Sequence, residues 1–336
     1  MIKKIAIKNK IGAAICALLL AAAVLCAFVF AVPALSESDA ARPVGYKGVL
    51  RLWHIDGFEG GKGDRSSFLA RVARAYESAN EGVLIMITSH TPESAEDALD
   101  RGFLPDMISY GGDCAFAADI ALPLAKYDCA AASAGGETLG VPWCEGGYFL
   151  FTAEGDFSDV SAENTVLSQG RGTFPVAAAA LEGLRGAFEV QPSVQAYVSL
   201  IDGKYKYMLG TQRDVWRFST RGFSVEAKPV ESFSDIRQYL SVCTGSAEKY
   251  NSCLDFLDLL LSEEVQKQLV SVGMCSPYFE IYGEEGGAMR ALEKTQTKNV
   301  LGAFLQETAR EEFEALAESL LKGEENGAKK IKNYLL

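Results

Sequence analysis

The residues with the clearest capacity for chemistry follow the first predicted strand, in the segment from Leu50 to Gly61. Trp53 offers a flat apolar face, and Asp56 and Glu59 offer hydrogen-bond acceptors in a loop rich in glycine. Because glycine has no Cβ, the backbone amides of such a loop can approach a ligand closely. A strand that runs into a loop of this kind is typical of the start of a binding cleft.

Similar side chains occur in later loops that are predicted to face the same cleft. The candidates that join Trp53, Asp56 and Glu59 are Tyr110, Asp113, Trp143, Glu145, Tyr148, Arg213, Asp214 and Trp216. Aromatic rings, carboxylates and guanidinium groups suit a pyranose, whose C–H face stacks on aromatics and whose hydroxyls form hydrogen bonds. The alternative is structural, since any one tryptophan can belong to the core and Arg213 with Asp214 can be an ion pair. The mixture predicts a sugar-like ligand.

The elements that position these residues alternate between strand and helix. After the first loop, Ser66 and Ser67 are predicted to cap a helix, and residues 83–88 form a buried strand. Thr91 is predicted to cap the next helix, and a third strand covers residues 107–110. Open α/β sheets place ligands at the carboxyl ends of their strands. The chain therefore begins as an α/β domain with its loops at the expected edge.

Two short strands are predicted to connect two lobes, at residues 148–152 and 239–243. The other predicted elements are helices at 176–184, 193–201, 246–261, 262–272 and 303–321, a strand at 205–209 and a polar turn at 210–214. Two connections leave each lobe discontinuous in sequence. Such a hinge lets rigid lobes close on a ligand.

Residues 1–35 are predicted to be a signal peptide or an N-terminal membrane anchor. Four lysines precede an apolar run from Ile11 to Val32, close to the roughly 20 residues that span a bilayer. The small residues around Ala34 suit cleavage, whereas retention would tether the chain to the cytoplasmic membrane. The positive charge ahead of the run predicts that the rest of the chain lies outside the cytoplasm. Cys26 follows Leu25, which does not fit a lipobox.

Composition argues against several classes of function. The net charge is −12 without a basic stripe, so nucleic acid is not a predicted partner. With 2 histidines and no C-x-x-C spacing among the 8 cysteines, we predict no metal site and no cofactor. Cys114 and Cys129 are a local candidate for a disulfide, although packing as small hydrophobes is preferred. No G-x-S-x-G, H-E-x-x-H or phosphate-binding loop motif is present, so we do not predict an enzyme.

Five segments carry a further signal through their order along the chain. They are Trp53-His54-Ile55-Asp56-Gly57-Phe58-Glu59-Gly60-Gly61, Leu104-Pro105-Asp106-Met107-Ile108-Ser109, Val141-Pro142-Trp143-Cys144-Glu145-Gly146-Gly147-Tyr148, Ile201-Asp202-Gly203-Lys204-Tyr205-Lys206-Tyr207-Met208, and Phe256 to Gly273 with its Leu261-Ser262-Glu263-Glu264-Val265-Gln266. Together they resemble the extracellular solute-binding proteins of ABC-type importers, in particular the carbohydrate-binding family 1. The chain departs from that family in its missing lipobox and its shorter length.

The resemblance implies a two-lobed α/β protein with the type II periplasmic-binding-protein fold and a ligand cleft between the lobes. Residues 48–149 and 242–292 would form lobe 1, and residues 150–241 and 293–336 would form lobe 2. Such a protein is a monomer that binds a sugar or oligosaccharide and delivers it to ABC permease subunits in the membrane. Two alternatives are a glycoside hydrolase with Asp56 and Glu145 as its carboxylate pair, and a surface sensing or adhesion protein on the same fold.

Overall fold

Two five-stranded sheets form the framework of the molecule in the computed structural model, which describes residues 46–295 and 297–336. The first sheet has the order β2-β1-β3-β12-β6 and contains β1 (Gly48–Ile55), β2 (Val83–His90), β3 (Met107–Tyr110), β6 (Val141–Glu145) and β12 (Arg237–Val242). The second has the order β11-β7-β10-β8-β9 and contains β7 (Tyr148–Thr152), β8 (Thr165–Gln169), β9 (Glu189–Pro192), β10 (Tyr207–Thr211) and β11 (Glu226–Pro229). Strands β4 (Ser133–Ala134) and β5 (Glu137–Thr138) pair with each other.

Helices pack around the two sheets. They are α1 (Arg65–Ala79), α2 (Pro92–Asp100), α3 (Ala117–Ile120), α4 (Pro175–Leu181), α5 (Ser193–Ile201), α6 (Gln212–Thr220), α7 (Ala247–Leu260), α8 (Glu263–Gln266), α9 (Gly287–Glu293), α10 (Glu307–Leu321) and α11 (Glu325–Ile331). Short 3₁₀ helices cover Ala130–Ala132, Lys267–Val272, Glu284–Gly286 and Lys332–Tyr334. The predicted two-lobed α/β fold is confirmed by this arrangement and by the solved structures described below.

Strand direction decides which loops can meet. In the first sheet β1 runs parallel to β2 and β3, so the loops that follow β1 and β3 leave the sheet at the same edge. In the second sheet β8 runs parallel to β10 and β9, which brings the segments after β8 and β10 together in the same way. These loops carry most of the charged residues described below.

Helix α1 begins at a different residue from the one that the sequence predicts. Asp64 is the N-cap, and its carboxylate accepts the backbone N–H groups of Ser66 at 3.1 Å and Ser67 at 2.9 Å. The prediction that these serines cap the helix is wrong, because they already lie in its first turn, where their amides need an acceptor. The cap predicted at Thr91 is confirmed, with Pro92 opening α2.

Each lobe has its own apolar core. Trp53, Ile108, Tyr110 and Tyr239 belong to the cluster under the first sheet. The cluster of the second lobe joins Phe149, Phe151, Val166, Met208 and Phe218 to Met289 and Leu292 of α9. Residues from both chain segments of a lobe therefore share one core.

The lobe boundaries that we predicted need correction at two points. Strand β12 was assigned to lobe 2 as far as residue 241, yet it hydrogen-bonds between β3 and β6 of the first sheet. Helix α9 was assigned to lobe 1, yet Met289 and Leu292 are buried in the second core. Strand pairing and core contacts between residues far apart in sequence determine the lobe to which β12 and α9 belong. The local sequence does not reveal such contacts. The remaining boundaries stay predictions.

Three predictions concern the membrane segment and the cysteines. The segment predicted as signal peptide or anchor, residues 1–35, lies outside the described residues. Among residues 46–295 and 297–336, no helix is long and apolar enough to cross a membrane. The six cysteines of this part of the chain are all unpaired, and Cys114 is fully buried, as expected for a small hydrophobe.

Candidate functional site between the two lobes

A cavity of about 480 Å³ lies where the loop after β1 faces the second lobe. It is lined by Asp56, Phe58, Glu59, Gly60, Gly61, Lys62, Gly63, Asp64, Arg171 and Arg213. Arg171 follows β8, and Arg213 lies in the first turn of α6, directly after β10. The lining therefore comes from three strand ends in two lobes, and the volume falls within the roughly 300–1,000 Å³ of small-molecule sites.

Asp56 is held in its ionised form. Its Oδ1 accepts hydrogen bonds from Arg65 Nε at 2.9 Å and pairs with His54 Nε2 at 3.0 Å. Burial works in the opposite direction, but the hydrogen bond with His54 and the charge of Arg65 together keep the pKa of Asp56 well below its ordinary value. Arg65 itself is only 2% exposed and also donates to the carbonyl oxygen of Phe58. The start of the loop is therefore fixed to helix α1.

Glu59 joins this loop to the second lobe. Its carboxylate forms an ion pair with Arg213 and accepts a hydrogen bond from Ser193 Oγ at 3.2 Å. Its backbone carbonyl accepts a hydrogen bond from Gln212 Nε2 at 3.2 Å. Three side chains from the starts of α5 and α6 thus hold one residue of lobe 1.

Lys62 and Trp216 make the next contact along the same face. The Lys62 ammonium lies 4.5 Å from the centre of the Trp216 ring, a cation–π geometry. Trp216 Nε1 donates to the carbonyl oxygen of Gly273 at 3.1 Å. Both residues, with Arg213, line a neighbouring cavity of about 250 Å³ that extends the site along α6.

Gly57 and Gly172 bring the backbones of the two lobes into direct contact, and Gly111 packs against Gly57 within lobe 1. A Cβ on Gly57 would lie 2.3 Å from Gly111 Cα, and a Cβ on Gly172 would lie 2.0 Å from the carbonyl oxygen of Gly57. Gly172 also has a φ of +63°, which other residues adopt at a cost. We call Gly57, Gly111 and Gly172 the glycine contact. The lobes are closed in this structure, and no side chain fits at this point.

Of the predicted site residues, Asp56, Glu59 and Arg213 line the cavity and Trp216 lies beside it. Asp113 lines a separate cavity of about 540 Å³ with Arg310 and several acids, and burial raises the pKa of its carboxyl group. Glu145 pairs with Arg237 Nε at 2.9 Å, and burial raises its pKa although the arginine charge opposes the change.

The other predicted site residues are buried. Trp53 is 6% exposed and packs on His90, and Trp143 has no exposed surface and donates from Nε1 to Ser109 Oγ at 3.0 Å. Tyr110 and Tyr148 are also fully buried. The Tyr110 hydroxyl hydrogen-bonds with Ser241, and the Tyr148 hydroxyl donates to Asp235. Asp214 accepts the N–H of Thr211 at 3.0 Å and pairs with Arg217 at 2.7 Å. In this conformation these five side chains do not line the cavity, and their contact with a ligand stays a prediction.

Sequence reasoning missed two basic residues of the cavity, Lys62 and Arg171. Both stand between glycines, in Gly61-Lys62-Gly63 and Gly170-Arg171-Gly172. Lys62 follows the first predicted strand, and Arg171 follows β8, which the sequence did not predict. A lysine or arginine between two glycines has no adjacent side chains to cover it, and this pattern could have identified both residues. Within the described chain, no group of three or more His, Cys, Asp or Glu residues is placed to hold a metal ion.

Comparison with known proteins gives a consistent result at the level of fold. No protein-family model and no curated protein sequence matches the chain. Its structure is similar to the sugar-binding protein MalE from Xanthomonas citri, with a TM-score of 0.61, 13% identity, and coverage of 85% of this chain and 95% of that one. The cyclic alpha-maltosyl-1,6-maltose binding protein from Arthrobacter globiformis is also similar, with a TM-score of 0.60 and 12% identity. That match covers 85% of this chain and 97% of the other protein.

A third similar structure is the GacH receptor of Streptomyces glaucescens, solved unliganded and with acarbose. It has a TM-score of 0.55 and 16% identity, and the match covers 86% of this chain and 97% of that chain. These three proteins are binding proteins or receptors, and their likeness to this chain extends over nearly their whole length. The chain therefore has the two-lobed α/β fold of sugar-binding proteins.

Proposed function

We propose that the protein binds a small solute, a sugar or oligosaccharide, outside the cytoplasm and delivers it to an ABC importer by closing its lobes. The observation that carries this proposal is the cavity lined by both lobes through Glu59, Arg171 and Arg213. A ligand that contacts both lobes stabilises the closed arrangement of the lobes. Without a ligand, only the direct contacts between the lobes stabilise that arrangement.

The chemistry of the lining supports a polar, hydroxyl-bearing ligand. Carboxylate oxygens, guanidinium groups and glycine amides supply acceptors and donors for hydroxyls. Structures with the same fold include proteins described as binding sugars, cyclic maltosyl-maltose and acarbose. The apolar run preceded by lysines at residues 1–35 supports export, and permease subunits in the membrane are the partners that this role requires.

The described contacts do not favour the hydrolase alternative. A glycosidase needs one carboxylic acid that stays protonated and a second carboxylate on the other side of the scissile bond. Asp56 is kept ionised by Arg65, and Glu145 is paired with Arg237 and is not part of the cavity lining. The same carboxylates serve well as fixed hydrogen-bond acceptors.

The test is a panel of neutral and charged sugars, from glucose, glucuronate and glucose 6-phosphate to maltotriose, added to the purified full-length chain. A bound sugar should raise the melting temperature by mass action, and calorimetry should then give its dissociation constant. The Arg213→Gln variant should lose most of this effect, whereas Arg101→Gln, which changes an exposed arginine in a surface pair with Asp97, should retain it. Absence of stabilisation by any sugar, or steady release of smaller sugars, would overturn the proposal.

A further inference from the structure

We infer that the solute taken by this cavity is a sugar that carries a negative charge, as a carboxylate or a phosphate. This inference rests on the proposed function and narrows its class of ligand. The groups that would hold the anion are Lys62, Arg171 and the backbone amides of the Gly60–Gly63 loop. Three independent features of the cavity lead to this assignment.

The first feature is that every acid of the cavity already has a partner inside the protein, and two of the three are paired with arginines. Asp56 is paired with Arg65 and His54, and Glu59 with Arg213. Asp64 accepts the amides of Ser66 and Ser67 as the cap of α1. Asp56 and Glu59 therefore need no cation from the ligand, and the oxygens of Asp64 are occupied by the first turn of α1.

The second feature is that two cations of the cavity lack such a counterion. In the described part of the chain Arg171 forms no salt bridge or hydrogen bond, although its charge acts on Glu93 and Asp113 from a distance. Lys62 contacts the face of Trp216 and forms no ion pair among these residues. Both side chains are exposed and line the cavity, so an anion that enters meets two available positive charges.

The backbone adds donors beside these two cations. In the segment Gly60–Gly63 the amide of Lys62 donates to the carbonyl oxygen of Val272 at 3.1 Å. The amides of Gly60, Gly61 and Gly63 have no acceptor within the described residues. These amides are available to donate to an anion that the two cations attract.

The third feature concerns the aromatic rings, which neutral sugars use as stacking platforms. Phe58 and Trp216 are the rings at the two adjoining cavities, and each already carries a cation on one face. The Arg65 guanidinium lies 3.9 Å from the Phe58 ring centre, and Lys62 lies 4.5 Å from that of Trp216. The other predicted platforms, Trp53 and Trp143, are buried. Recognition of the ligand therefore depends on charge and hydrogen bonds more than on stacking.

The experiment is calorimetric titration of the full-length chain, in mild detergent, with glucuronate, glucose 6-phosphate, glucose, maltose and inorganic phosphate. We expect one of the charged sugars to bind at least about tenfold more tightly than glucose, and its affinity to fall as NaCl increases. Glucuronate as the tighter ligand would identify a carboxylate, and glucose 6-phosphate a phosphate. Lys62→Gln and Arg171→Gln should each weaken this binding about tenfold, and Arg101→Gln should leave it unchanged.

The possible results distinguish failure of the anionic-sugar inference from failure of the proposed solute-binding function. Glucose or maltose bound as tightly as the charged sugars would overturn the anionic assignment and leave the solute-binding role intact. Inorganic phosphate bound as tightly as glucose 6-phosphate would show that the sugar is not recognised. Absence of binding by every compound would overturn the proposed function itself. Because Lys62 and Arg171 are exposed, both variants should fold, and their melting temperatures check this.

Discussion

Glu59 of the loop after β1 forms an ion pair with Arg213 at the start of α6, and this pair connects the two lobes beside the candidate site. Both side chains remain about one-third exposed, so water weakens their attraction. The pair is supplemented by Ser193 and Gln212, which donate to the same glutamate. The closed arrangement thus depends on a small set of polar contacts that a ligand can reinforce.

We predict that Glu59 and Arg213 are energetically coupled. A double-mutant cycle of Glu59→Gln and Arg213→Gln, followed by urea unfolding, should give a coupling energy of about 0.5–1 kcal/mol. The exposed pair of Glu263 and Lys267 is the matched control and should give a smaller value. Equal coupling in the two pairs would show that the interlobe pair adds nothing beyond an ordinary surface contact.

Replacing Asp56 by Asn should destabilise the fold by about 2 kcal/mol, because it leaves the buried Arg65 without its counterion. Arg65 Nη1 has no hydrogen-bond partner among the described residues, which shows that none of them offers a spare acceptor beside this guanidinium group. No other residue of this part of the chain can therefore replace the Asp56 carboxylate. Unfolding in urea measures the effect. Asp97→Asn, which removes one member of an exposed pair, should change stability by less than about 0.5 kcal/mol. An effect of Asp56→Asn as small as that would contradict the account.

Asp235 should make the protein less stable as the pH rises from about 4 to 6. Burial raises the pKa of Asp235 to about 6, against the hydrogen bond that it accepts from Tyr148 at 2.7 Å. The folded state therefore binds more protons than the unfolded state in this interval, and stability present at low pH is lost as pH rises through the folded pKa. The loss is at most about 3 kcal/mol.

Urea unfolding at pH 4, 5, 6 and 7 tests this prediction. Asp235→Asn keeps one acceptor oxygen, for Tyr148, while the Phe174 amide still donates to the Tyr148 hydroxyl. Because the variant does not titrate, its decline in stability should be shallower than that of the parent. Some decline should persist, since burial also raises the pKa of Asp214 to about 6. A parent and a variant with parallel pH profiles would refute the assignment.

Much of the fold follows from local sequence, and the failures have identifiable causes. Strand Met107–Tyr110 and helix Ser193–Ile201 have the predicted bounds, since apolar periodicity and flanking polar residues are clear there. The turn predicted at 210–214 is the start of helix Gln212–Thr220, which Thr211 and Asp214 open with a capping box. Strand Arg237–Val242 joins the first sheet through pairing partners about 90 to 130 residues away, which no local pattern encodes.

The site was harder to predict than the fold because loop position does not fix exposure. The sequence predicts Trp143 and Trp53 beside loops, as a ligand platform would be, yet both lie within strands and complete the core of lobe 1. Glu59 and Arg213 line the cavity, and their mutual pairing depends on how the lobes meet, which the sequence does not encode locally. Lys62 and Arg171 were missed, since a search for aromatics and carboxylates does not weigh basic residues in glycine loops.

We predict that Trp143 contributes to stability alone, whereas Trp216, which contacts both lobes, contributes to ligand binding. Trp143→Phe retains the stack on Phe68 but removes the hydrogen bond to Ser109, and should cost about 1–2 kcal/mol of stability without changing ligand affinity. Trp216→Phe removes the bond to Gly273 and alters the ring below Lys62, and should weaken binding of the ligand found in the sugar panel. Unfolding and calorimetry on the two variants would refute this division if Trp143→Phe alone changed affinity.

The central claim is that the lobes close through the glycine contact, and small-angle X-ray scattering of the compact unit Lys47–Leu336 tests it most directly. With the bound sugar from the panel at saturation, the parent should have a radius of gyration near the roughly 19 Å of a compact unit of this length. Gly172→Ala should enlarge it, because the added Cβ meets the Gly57 carbonyl oxygen, whereas Gly203→Ala, with a φ of +71° and no atom within 4 Å of its Cβ, should not. Identical scattering from the two variants, or an expanded parent, would contradict the account.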